Sequence, residues 1–521
     1  MYSTVVSGAL HGVSAYLVSV EVDIANGLPA FLMVGSLSTE VRESRERVTV
    51  ALKNVGLSLP PKRITVNLSP ADRRKEGTAF DLPIAVGMLE SLGLIPPKAA
   101  EGILFLGELG LDGEIKKVRG VLPIVQAASE GGIRQCIVPA ANAKEAAVVP
   151  GMTVWEAGKF LDILHFLMAE RGRRGDILET VSVDTDRLFG GEGVEGGKNA
   201  EDRLDFCQVT GQESARRAAE IAAAGFHNLL MVGPPGAGKS MIAKRIPGIL
   251  PPLTLEESLE VTAVVSVAGL MEEGEALVTE RPFRSPHHTI SQAALIGGSV
   301  LPRPGMISMA HRGVLFLDEL PEFQGAALDA LRQPMEDRNV NIARASGNVT
   351  YPSDFMLVCA MNPCPCGYYP DANRCRCSKT RISRYMGKVS GPILDRIDLC
   401  VELQAVNYAS LKTKARGEGS AEIRRRVERA RRIQEDRFKD TGYRFNGDIE
   451  AAAMEKYCAL GQEEQGCMER LYNSLQLSAR AYHRILRVGR TIADLDGEEQ
   501  IGVQHLMEAA FYRPSMEYWG R

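Results

Sequence analysis

The first third of the chain alternates between short apolar runs and segments with a helical period. Arg63–Asn67 and Gln135–Pro139 are short β-rich runs, and Asp81–Leu92 has the spacing of a helix. Alternation of this kind is typical of helices packed on a sheet. The pattern therefore predicts one mixed α/β domain over residues 1–168.

The pattern changes further along the chain. Residues 169–204 are rich in Gly, Glu, Asp and Arg and poor in large apolar side chains, which indicates a linker. Residues 205–405 return to strand-length apolar runs and predict a second α/β block. Residues 406–521 are helical in pattern, with Arg and Glu at helical spacings over Ala421–Lys439 and an apolar repeat over Met468–Leu495.

The second block contains a complete phosphate-binding motif. The apolar run Asn228–Val232 leads directly into GPPGAGKS, which fits G-x-x-x-x-G-K-[ST]. The loop consists of Gly233, Pro234, Pro235, Gly236, Ala237, Gly238, Lys239 and Ser240. In such a loop backbone N–H groups surround the phosphates, Lys239 reaches the β- and γ-phosphates, and Ser240 places its hydroxyl on Mg²⁺. The motif predicts a site for ATP and Mg²⁺.

Two later strands end in polar residues that suit the same site. Gly313–Asp318 is an apolar run, and its last residue, Asp318, is suited to Mg²⁺ coordination. Glu319 would then orient and deprotonate the attacking water. Phe355–Ala360 leads to Asn362, whose amide can hold that water against the γ-phosphate. The alternative is that Asn362 only caps a turn before the following proline.

Arg396 is a candidate for stabilising the transition state. It lies in GPILDRIDL, residues 391–399, at a corner between a helix and a strand. One interpretation is an arginine finger that reaches into the ATP site of a neighbouring subunit. The other is a surface ion pair with Asp395 or Asp398.

Two groups of residues could bind a metal. Four of the ten cysteines lie in one short excursion over residues 364–377, namely Cys364, Cys366, Cys375 and Cys377. Four thiolates fit a closed, structural Zn²⁺ site, although the C-x-C spacing departs from the usual C-x-x-C; free or redox-active thiols are the alternative. His287 and His288 are adjacent with no evident carboxylate partner, which favours a structural or phosphate-contacting role.

Composition limits the possible partners and compartments. The 521 residues are 45% apolar and 24% charged, with a formal net charge of −4, so any nucleic-acid contact must come from local basic clusters. No apolar run is long enough to cross a bilayer, and the N-terminus lacks the features of a secretory signal. We therefore expect a cytoplasmic protein with reduced cysteines.

Four motifs together resemble a known family. GPPGAGKS, GVLFLDELPEF, AMNPCPCG and SGPILDRIDL, in that order, are similar to the Mg-chelatase-like AAA+ ATPases of the helix-2-insert branch, which includes the MCM replicative helicases. The resemblance covers nearly the whole chain. It implies a central AAA+ P-loop αβα domain, a C-terminal helical lid and a homo-hexameric ring.

The resemblance also implies a second arginine that completes a neighbour's site. In this branch a sensor 2 arginine lies in the helical lid, and the matching stretch is LSARAYHRILRV. Arg480 is the first choice for this role, while Arg484 and Arg487 lie on nearby turns of the same helix. The alternative is a solvated basic face of the helix.

A hairpin implies that the motor acts on DNA. Asn339–Ser353 contains two β-rich arms around Ser346 and Gly347, with Arg344 near the tip. It resembles the pre-sensor 1 hairpin of MCM helicases, whose basic residue touches DNA in the central pore. Pro286–His311 matches the helix-2 insert and contains Arg303. The alternative is that hairpin and insert only pack against neighbouring elements.

The N-terminal domain resembles the ribosomal S5-type fold that also forms the protease domain of Lon, on the basis of Gly107–Gly132. A protease of that type needs a Ser–Lys dyad. No Ser occurs in Glu76–Asp81, and Leu122 stands about where the Lys would fall. The resemblance therefore implies a non-catalytic binding module.

Three functions follow as expectations. The leading one is an ATP-dependent DNA translocase or helicase that promotes branch migration in recombination during natural transformation. The second is a chelatase-like motor that remodels a partner protein for Mg²⁺ insertion into a porphyrin. The third, a Lon-like protease, is opposed by the missing dyad.

Overall fold

The computed structural model describes residues 2–189, 204–298, 303–344, 347–405 and 417–513. Within these ranges, no helix combines the length and the apolar character that crossing a membrane requires.

The described strands form two large sheets and two small ones. They are β1 Tyr2–His11, β2 Ser14–Ala25, β3 Ala30–Val34, β4 Arg63–Ser69, β5 Ile103–Phe105, β6 Glu108–Leu109, β7 Ile115–Lys116, β8 Gln135–Pro139, β9 Thr153–Ala157, β10 Thr180–Val181, β11 Leu229–Val232, β12 Phe283–Arg284, β13 Val314–Leu317, β14 Asn339–Arg344, β15 Gly347–Pro352, β16 Met356–Met361 and β17 Leu399–Glu402.

The α-helices of the described ranges are α1 Thr39–Asn54, α2 Asp81–Leu92, α3 Val121–Glu130, α4 Ala143–Ala146, α5 Phe160–Met168, α6 Thr185–Phe189, α7 Glu213–Gly225, α8 Lys239–Ala243, α9 Leu255–Ala268, α10 Gln292–Ile296, α11 Met306–Met309, α12 Gly325–Ala330, α13 Arg332–Asp337, α14 Lys379–Met386, α15 Gly391–Leu394, α16 Ser420–Arg437, α17 Met454–Tyr457, α18 Gln462–Ser474, α19 Ala479–Asp496 and α20 Val503–Phe511. Short 3₁₀ turns occur at Ala140–Asn142, Arg171–Asp176, Phe206–Gln208, Ile246–Gly248, Leu320–Glu322, Asn446–Asp448 and Ala451–Ala453.

The N-terminal block is a mixed α/β domain, as the alternating pattern predicts. Its eight-stranded sheet has the order β10-β9-β8-β5-β1-β2-β4-β3, with β1, β2 and β4 antiparallel and β5, β8 and β9 parallel. Helix α2 is buried along nearly its whole length because its sequence is apolar on every face. Asp81 at its first position is a buried exception, and its carboxylate accepts hydrogen bonds from Arg47 at 2.7 and 2.9 Å.

The second block is built on a parallel sheet that gathers its motifs at one edge. The strand order is β12-β13-β16-β11-β17, and every neighbouring pair is parallel. Strands β11, β13 and β16 are buried throughout, so they form the centre of the core. The carboxyl ends of parallel strands lie at the same edge of a sheet, and ligands bind there.

The hairpin β14–β15 lies in the chain between β13 and β16. Its register pairs Val340 with Tyr351 and ends with Arg344 opposite Gly347. Val340 and Tyr351 are both almost fully buried. One face of the hairpin is therefore held against the core, and the arms predicted from the sequence are present.

The C-terminal region is helical, as the pattern predicts, but the apolar repeat over residues 468–495 belongs to two helices. Helix α18 ends at Ser474, and α19 begins after Ser478, whose hydroxyl accepts a hydrogen bond from the Ala481 N–H at 3.3 Å. A serine N-cap interrupts the backbone without interrupting the apolar period, which is why the pattern alone does not reveal the break.

Candidate functional site

The phosphate-binding loop follows β11 and ends where α8 begins. Gly238 has φ of +93°, a left-handed conformation that a side chain would disfavour, and α8 starts at the next residue, Lys239. Gly233 is required for a different reason, since a Cβ there would lie 2.7 Å from the carbonyl oxygen of Leu403. The glycines of the motif therefore allow the tight turn and the close approach of β17.

Lys239 connects the loop with the end of β16. Its ammonium donates to the carbonyls of Gly233 at 2.6 Å and Pro234 at 2.9 Å, and to the Asn362 side-chain oxygen at 3.0 Å. The side chain is almost fully buried, and burial lowers the pKa of Lys239, against the opposing effects of Asp318 and Glu319. The structure thus places the Asn362 amide at the phosphate-binding loop.

The residues expected to bind Mg²⁺ lie next to each other. The Ser240 hydroxyl donates to the Asp318 carboxylate at 2.7 Å, although 78 positions separate them in the chain. A hydroxyl and a carboxylate oxygen beside a phosphate-binding loop are ligands that Mg²⁺ accepts. The pair fits the metal that the motif implies.

Glu319 has a partner that sequence reasoning missed. The His288 Nδ1 atom lies 3.2 Å from the Glu319 carboxylate, and the ring of His287 is 4.1 Å from that of His288. The expectation that these histidines lack a carboxylate partner is therefore wrong for His288. Strand β12, which has only two residues and pairs with β13, brings the segment after it to the same sheet edge as Glu319.

Arg396 and Arg480 lie together, away from the phosphate-binding loop. Both line a cavity of about 210 Å³ with Glu336 and Asp395. Arg396 pairs with the Glu336 carboxylate and donates to the Pro392 carbonyl at 2.6 Å. The alternative interpretation, an ion pair with Asp395 or Asp398, is absent from the described contacts of Arg396. None of the contacts described for these two arginines involves a residue of the loop.

Arg480, Arg484 and Arg487 of helix α19 differ in exposure and in the contacts they make. The Arg480 side chain is 70% exposed and pairs with Asp395 at 3.3 Å. Arg484 is buried and donates to the Asp395 carbonyl at 2.7 Å, while Arg487 lies 3.6 Å from Asp398. Burial alone would raise the pKa of Asp398, but the hydrogen bond with His227 and the charge of Arg487 hold it low. Arg484 and Arg487 therefore already have structural contacts within the chain.

The four cysteines of the excursion converge. The sulfur of Cys364 is 3.3 Å from that of Cys366 and 3.7 Å from that of Cys375, and all four sulfurs lie within 4.8 Å of one another. Zinc bound by four thiolates at about 2.3 Å holds the sulfurs about 3.8 Å apart. A hydrogen bond from the Tyr368 backbone is the largest cause that lowers the pKa of Cys366 to about 6. The cluster fits tetrahedral Zn²⁺.

The excursion touches the phosphate-binding loop. Cys364 follows Asn362 by two residues, and a Cβ added to Gly367 would lie 2.5 Å from the Pro235 ring. Gly367 has φ of +86°. The cysteine excursion therefore packs against the phosphate-binding loop.

The predicted DNA contact can be placed only in part. Arg344 is the last residue of β14, and its side chain lies outside the described part of the structure, as do Ser346 and residues 299–302 of the insert.

Three family models match the chain. "Magnesium chelatase, subunit ChlI" matches residues 205–411, "Subunit ChlI of Mg-chelatase" matches residues 20–142, and "Magnesium chelatase, subunit ChlI C-terminal" matches residues 417–513. Together they span most of the chain.

Curated relatives match either the whole chain or one part of it. Competence protein ComM of Haemophilus influenzae is 43% identical over 510 residues, which are 98% of this chain and 97% of that protein. The DNA replication licensing factor mcm5 of Dictyostelium discoideum is 25% identical over 315 residues, 58% of this chain and 37% of that protein. The archaeal Lon protease of Halobacterium salinarum is 34% identical over 117 residues, which are 21% of this chain and 16% of that protein.

Proposed function

The chain belongs to the magnesium chelatase subunit ChlI family of AAA+ ATPases, and on that premise we propose that it is an ATP-hydrolysing motor that acts on DNA. The observation that carries the proposal is the position of the β14–β15 hairpin. In the chain the hairpin separates the strand that precedes Asp318 and Glu319 from the strand that precedes Asn362. Movement of a ligand at the hairpin can therefore be transmitted to the ATP site through both strands that flank the hairpin in the chain.

Each residue of the ATP site has a proposed part in hydrolysis. The loop amides and Lys239 would hold the phosphates, and Ser240 and Asp318 would hold Mg²⁺, which would supply positive charge beside the transferred phosphoryl group. Glu319 accepts a proton from the attacking water, and Asn362, fixed by Lys239, orients that water against the γ-phosphate. Bound ATP and Mg²⁺ supply the transferable phosphoryl group and its counter-charge.

The remaining two arginines support a site shared between subunits. Arg396 and Arg480 line a cavity that none of the loop residues enters. In a ring, that face would meet the phosphate-binding loop of the next subunit, where the two guanidiniums stabilise transition-state charge. We therefore propose that the active form is a homo-hexamer with composite sites.

DNA is the proposed substrate for two reasons. The chain is similar over nearly its whole length to a protein named for competence, and over more than half of it to a DNA replication licensing factor. The hairpin ends at Arg344, which would contact phosphates in the ring's central pore. The resulting activity is translocation that promotes branch migration in recombination during natural transformation.

A structural role is proposed for zinc. Four converging thiolates leave no open coordination position, so Zn²⁺ bound there would fix the excursion rather than take part in hydrolysis.

A chelatase-like motor is the second candidate, and the family description favours it. In that case ATP energy remodels a partner protein for Mg²⁺ insertion into a porphyrin. The eight-stranded N-terminal domain and the cysteine excursion are additions to the ATPase that such a role does not require.

ATPase rates with and without DNA test the proposal. Single-stranded and forked DNA should raise the rate of wild-type protein, and Arg344→Ala should abolish most of this stimulation, because one phosphate contact per subunit is lost. Arg171→Ala removes an exposed arginine outside the hairpin, just after residues 1–168, and is the matched control. Stimulation by a partner protein and not by DNA would favour the chelatase-like motor.

A further inference from the structure

A cavity of about 410 Å³ lies between the N-terminal domain and the ATPase block. Its N-terminal walls are the end of β1, the segment 72–79 and Arg119. Its ATPase walls are Arg303 of the insert and the hairpin residues Val349 and Tyr351. The volume falls within the range of about 300–1,000 Å³ typical of ligand sites. We call this cavity the interdomain cleft.

Direct contacts hold the two walls of the cleft together. The Gly120 N–H donates to the Ser266 carbonyl at 3.1 Å, which joins the start of α3 to α9. The Ser266 hydroxyl also donates to the buried carboxylate of Glu145. On the other side, a Cβ added to Gly12 would lie 2.9 Å from the Thr350 carbonyl oxygen of the hairpin. The cleft is therefore formed by packed elements.

Three arginines in the cleft have no carboxylate partner. Among the described residues, Arg73, Arg119 and Arg303 make no ion pair within 4.0 Å, and Arg73 lies over the Tyr16 ring at 5.0 Å. The fourth arginine, Arg74, is paired with Glu76 at 3.2 Å. The cleft also contains two other acids, Glu40 and Asp72.

Arg119 and Arg303 face the same space from different domains and repel each other. Burial is the largest cause that lowers the pKa of Arg119, and the charge of Arg303 is the next, with a larger effect than the attraction of Glu40 or Glu76. A guanidinium group is charged at neutral pH. An anion between them would remove this repulsion and could accept forked hydrogen bonds from both.

The cleft coincides with the segment where a Lon-type protease would have its nucleophile. Gly77, Thr78 and Ala79 form this wall, and a Cβ on Gly77 would have nothing within 4 Å. Among the residues that the structure describes, no Ser or Lys lines the cleft. The cleft therefore lacks the Ser–Lys dyad that peptide cleavage requires. The arginines that face the cleft favour an anionic ligand instead.

The neighbouring hairpin identifies the anion. Val349 lies two residues beyond Gly347, the first residue of β15, so at about 3.3 Å per residue the cleft is about 7 Å from that end of the strand. We propose that the interdomain cleft binds the phosphodiester backbone of a single DNA strand, with one phosphate between Arg119 and Arg303. This rests on the proposed function, and it makes the N-terminal domain a second DNA-binding element beside the hairpin.

Equilibrium binding of a fluorescent oligo(dT) to the full-length protein, measured by anisotropy over a series of salt concentrations, tests the cleft. Arg119→Gln and Arg303→Gln should each weaken binding about threefold to fivefold at moderate salt, and make the slope of log K against log [salt] shallower by about 0.7. Arg119→Lys should keep the slope because it keeps the charge. Arg171→Gln should bind like wild type.

The outcomes separate the cleft from the motor. If both Gln variants keep the wild-type affinity and salt slope, the cleft does not bind DNA. The same conclusion follows if Arg119→Lys loses as much DNA affinity as Arg119→Gln and also has a lowered unfolding midpoint. If the Gln variants bind weakly but DNA does not stimulate wild-type ATPase, the cleft stands and the motor function fails. If DNA stimulates the ATPase and the Gln variants bind normally, the motor stands and the cleft fails.

Discussion

The position of the Glu319 carboxylate depends on a residue from another segment of the chain, His288. Glu319 has φ of +54°, a left-handed conformation that costs a non-glycine residue about 1–2 kcal/mol, and its carboxylate lies 3.2 Å from His288. Its side chain is nevertheless 57% exposed and open to water. The backbone and the histidine together aim an accessible carboxylate, as a water-activating residue requires.

The first residue-scale prediction concerns Glu319 itself. Glu319→Gln should lower the ATP hydrolysis rate about 10²–10⁴-fold, because an amide cannot accept the water proton. ATP affinity should change little, since no contact of the phosphate-binding loop is removed. Single-turnover hydrolysis and binding of a fluorescent ATP analogue measure the two quantities. A wild-type turnover rate in this variant would contradict the assigned role.

The second residue-scale prediction concerns His288. His288→Ala should lower kcat by about tenfold and leave the KM for ATP within about twofold, because only the orientation of Glu319 is lost. His288→Asn retains a donor near the position of Nδ1 and should recover most of the rate. If the Asn variant is as slow as the Ala variant, or if KM rises instead, the histidine does not act by orienting Glu319.

These residues mark the limit of prediction from sequence. The loop from Gly233 to Ser240, Asp318 and Glu319 could be identified because they follow apolar strands, and β11, β13 and β16 begin and end within one residue of the predicted runs. His288 could not, because β12 is too short to give an apolar pattern. Its role depends on strand order, which one sequence does not specify.

At the scale of elements, the cysteine excursion and the ATP site are one unit. Strand β16 leads to Asn362, the excursion begins two residues later, and Gly367 packs against Pro235. Loosening of the excursion should therefore displace the phosphate-binding loop and Asn362 without opening the sheet, whose central strands are fully buried.

Metal removal tests this connection. Wild-type protein prepared without chelators should contain about one Zn²⁺ per chain by elemental analysis. Cys377→Ser should lose the metal and reduce ATPase activity several-fold, while the far-UV circular dichroism of the folded core stays close to wild type. Cys207→Ser, outside the cluster, is the control. Wild-type protein without zinc would remove the site, and full activity in the Cys377→Ser variant would disprove the coupling.

At the scale of the whole molecule, the phosphate-binding loop and the pair Arg396 and Arg480 lie in two separate places on the chain. The phosphate-binding loop, Asp318 and Asn362 meet at one sheet edge, whereas Arg396 and Arg480 line a separate cavity and pair with acids of their own chain. Pattern analysis could identify these arginines but not their partners. The pairing of Arg396 with Glu336 depends on contacts between segments that are 60 residues apart.

Mixing experiments test the shared site. Arg396→Ala and Lys239→Ala proteins should each be inactive alone and still form oligomers. Their mixture should recover part of the ATPase activity, because some composite sites then combine an intact loop with an intact arginine. Oligomeric state is checked by light scattering. A mixture that forms mixed rings and remains inactive would contradict the role of Arg396 in a neighbour's site.

The most direct measurement of the central claim is strand displacement from a branched DNA by the purified protein, with and without ATP. The proposed function predicts displacement by wild-type protein that requires ATP and Mg²⁺ and is lost in Glu319→Gln, which still binds the DNA. Wild-type protein that hydrolyses ATP at a DNA-independent rate and displaces no strand would contradict a DNA motor.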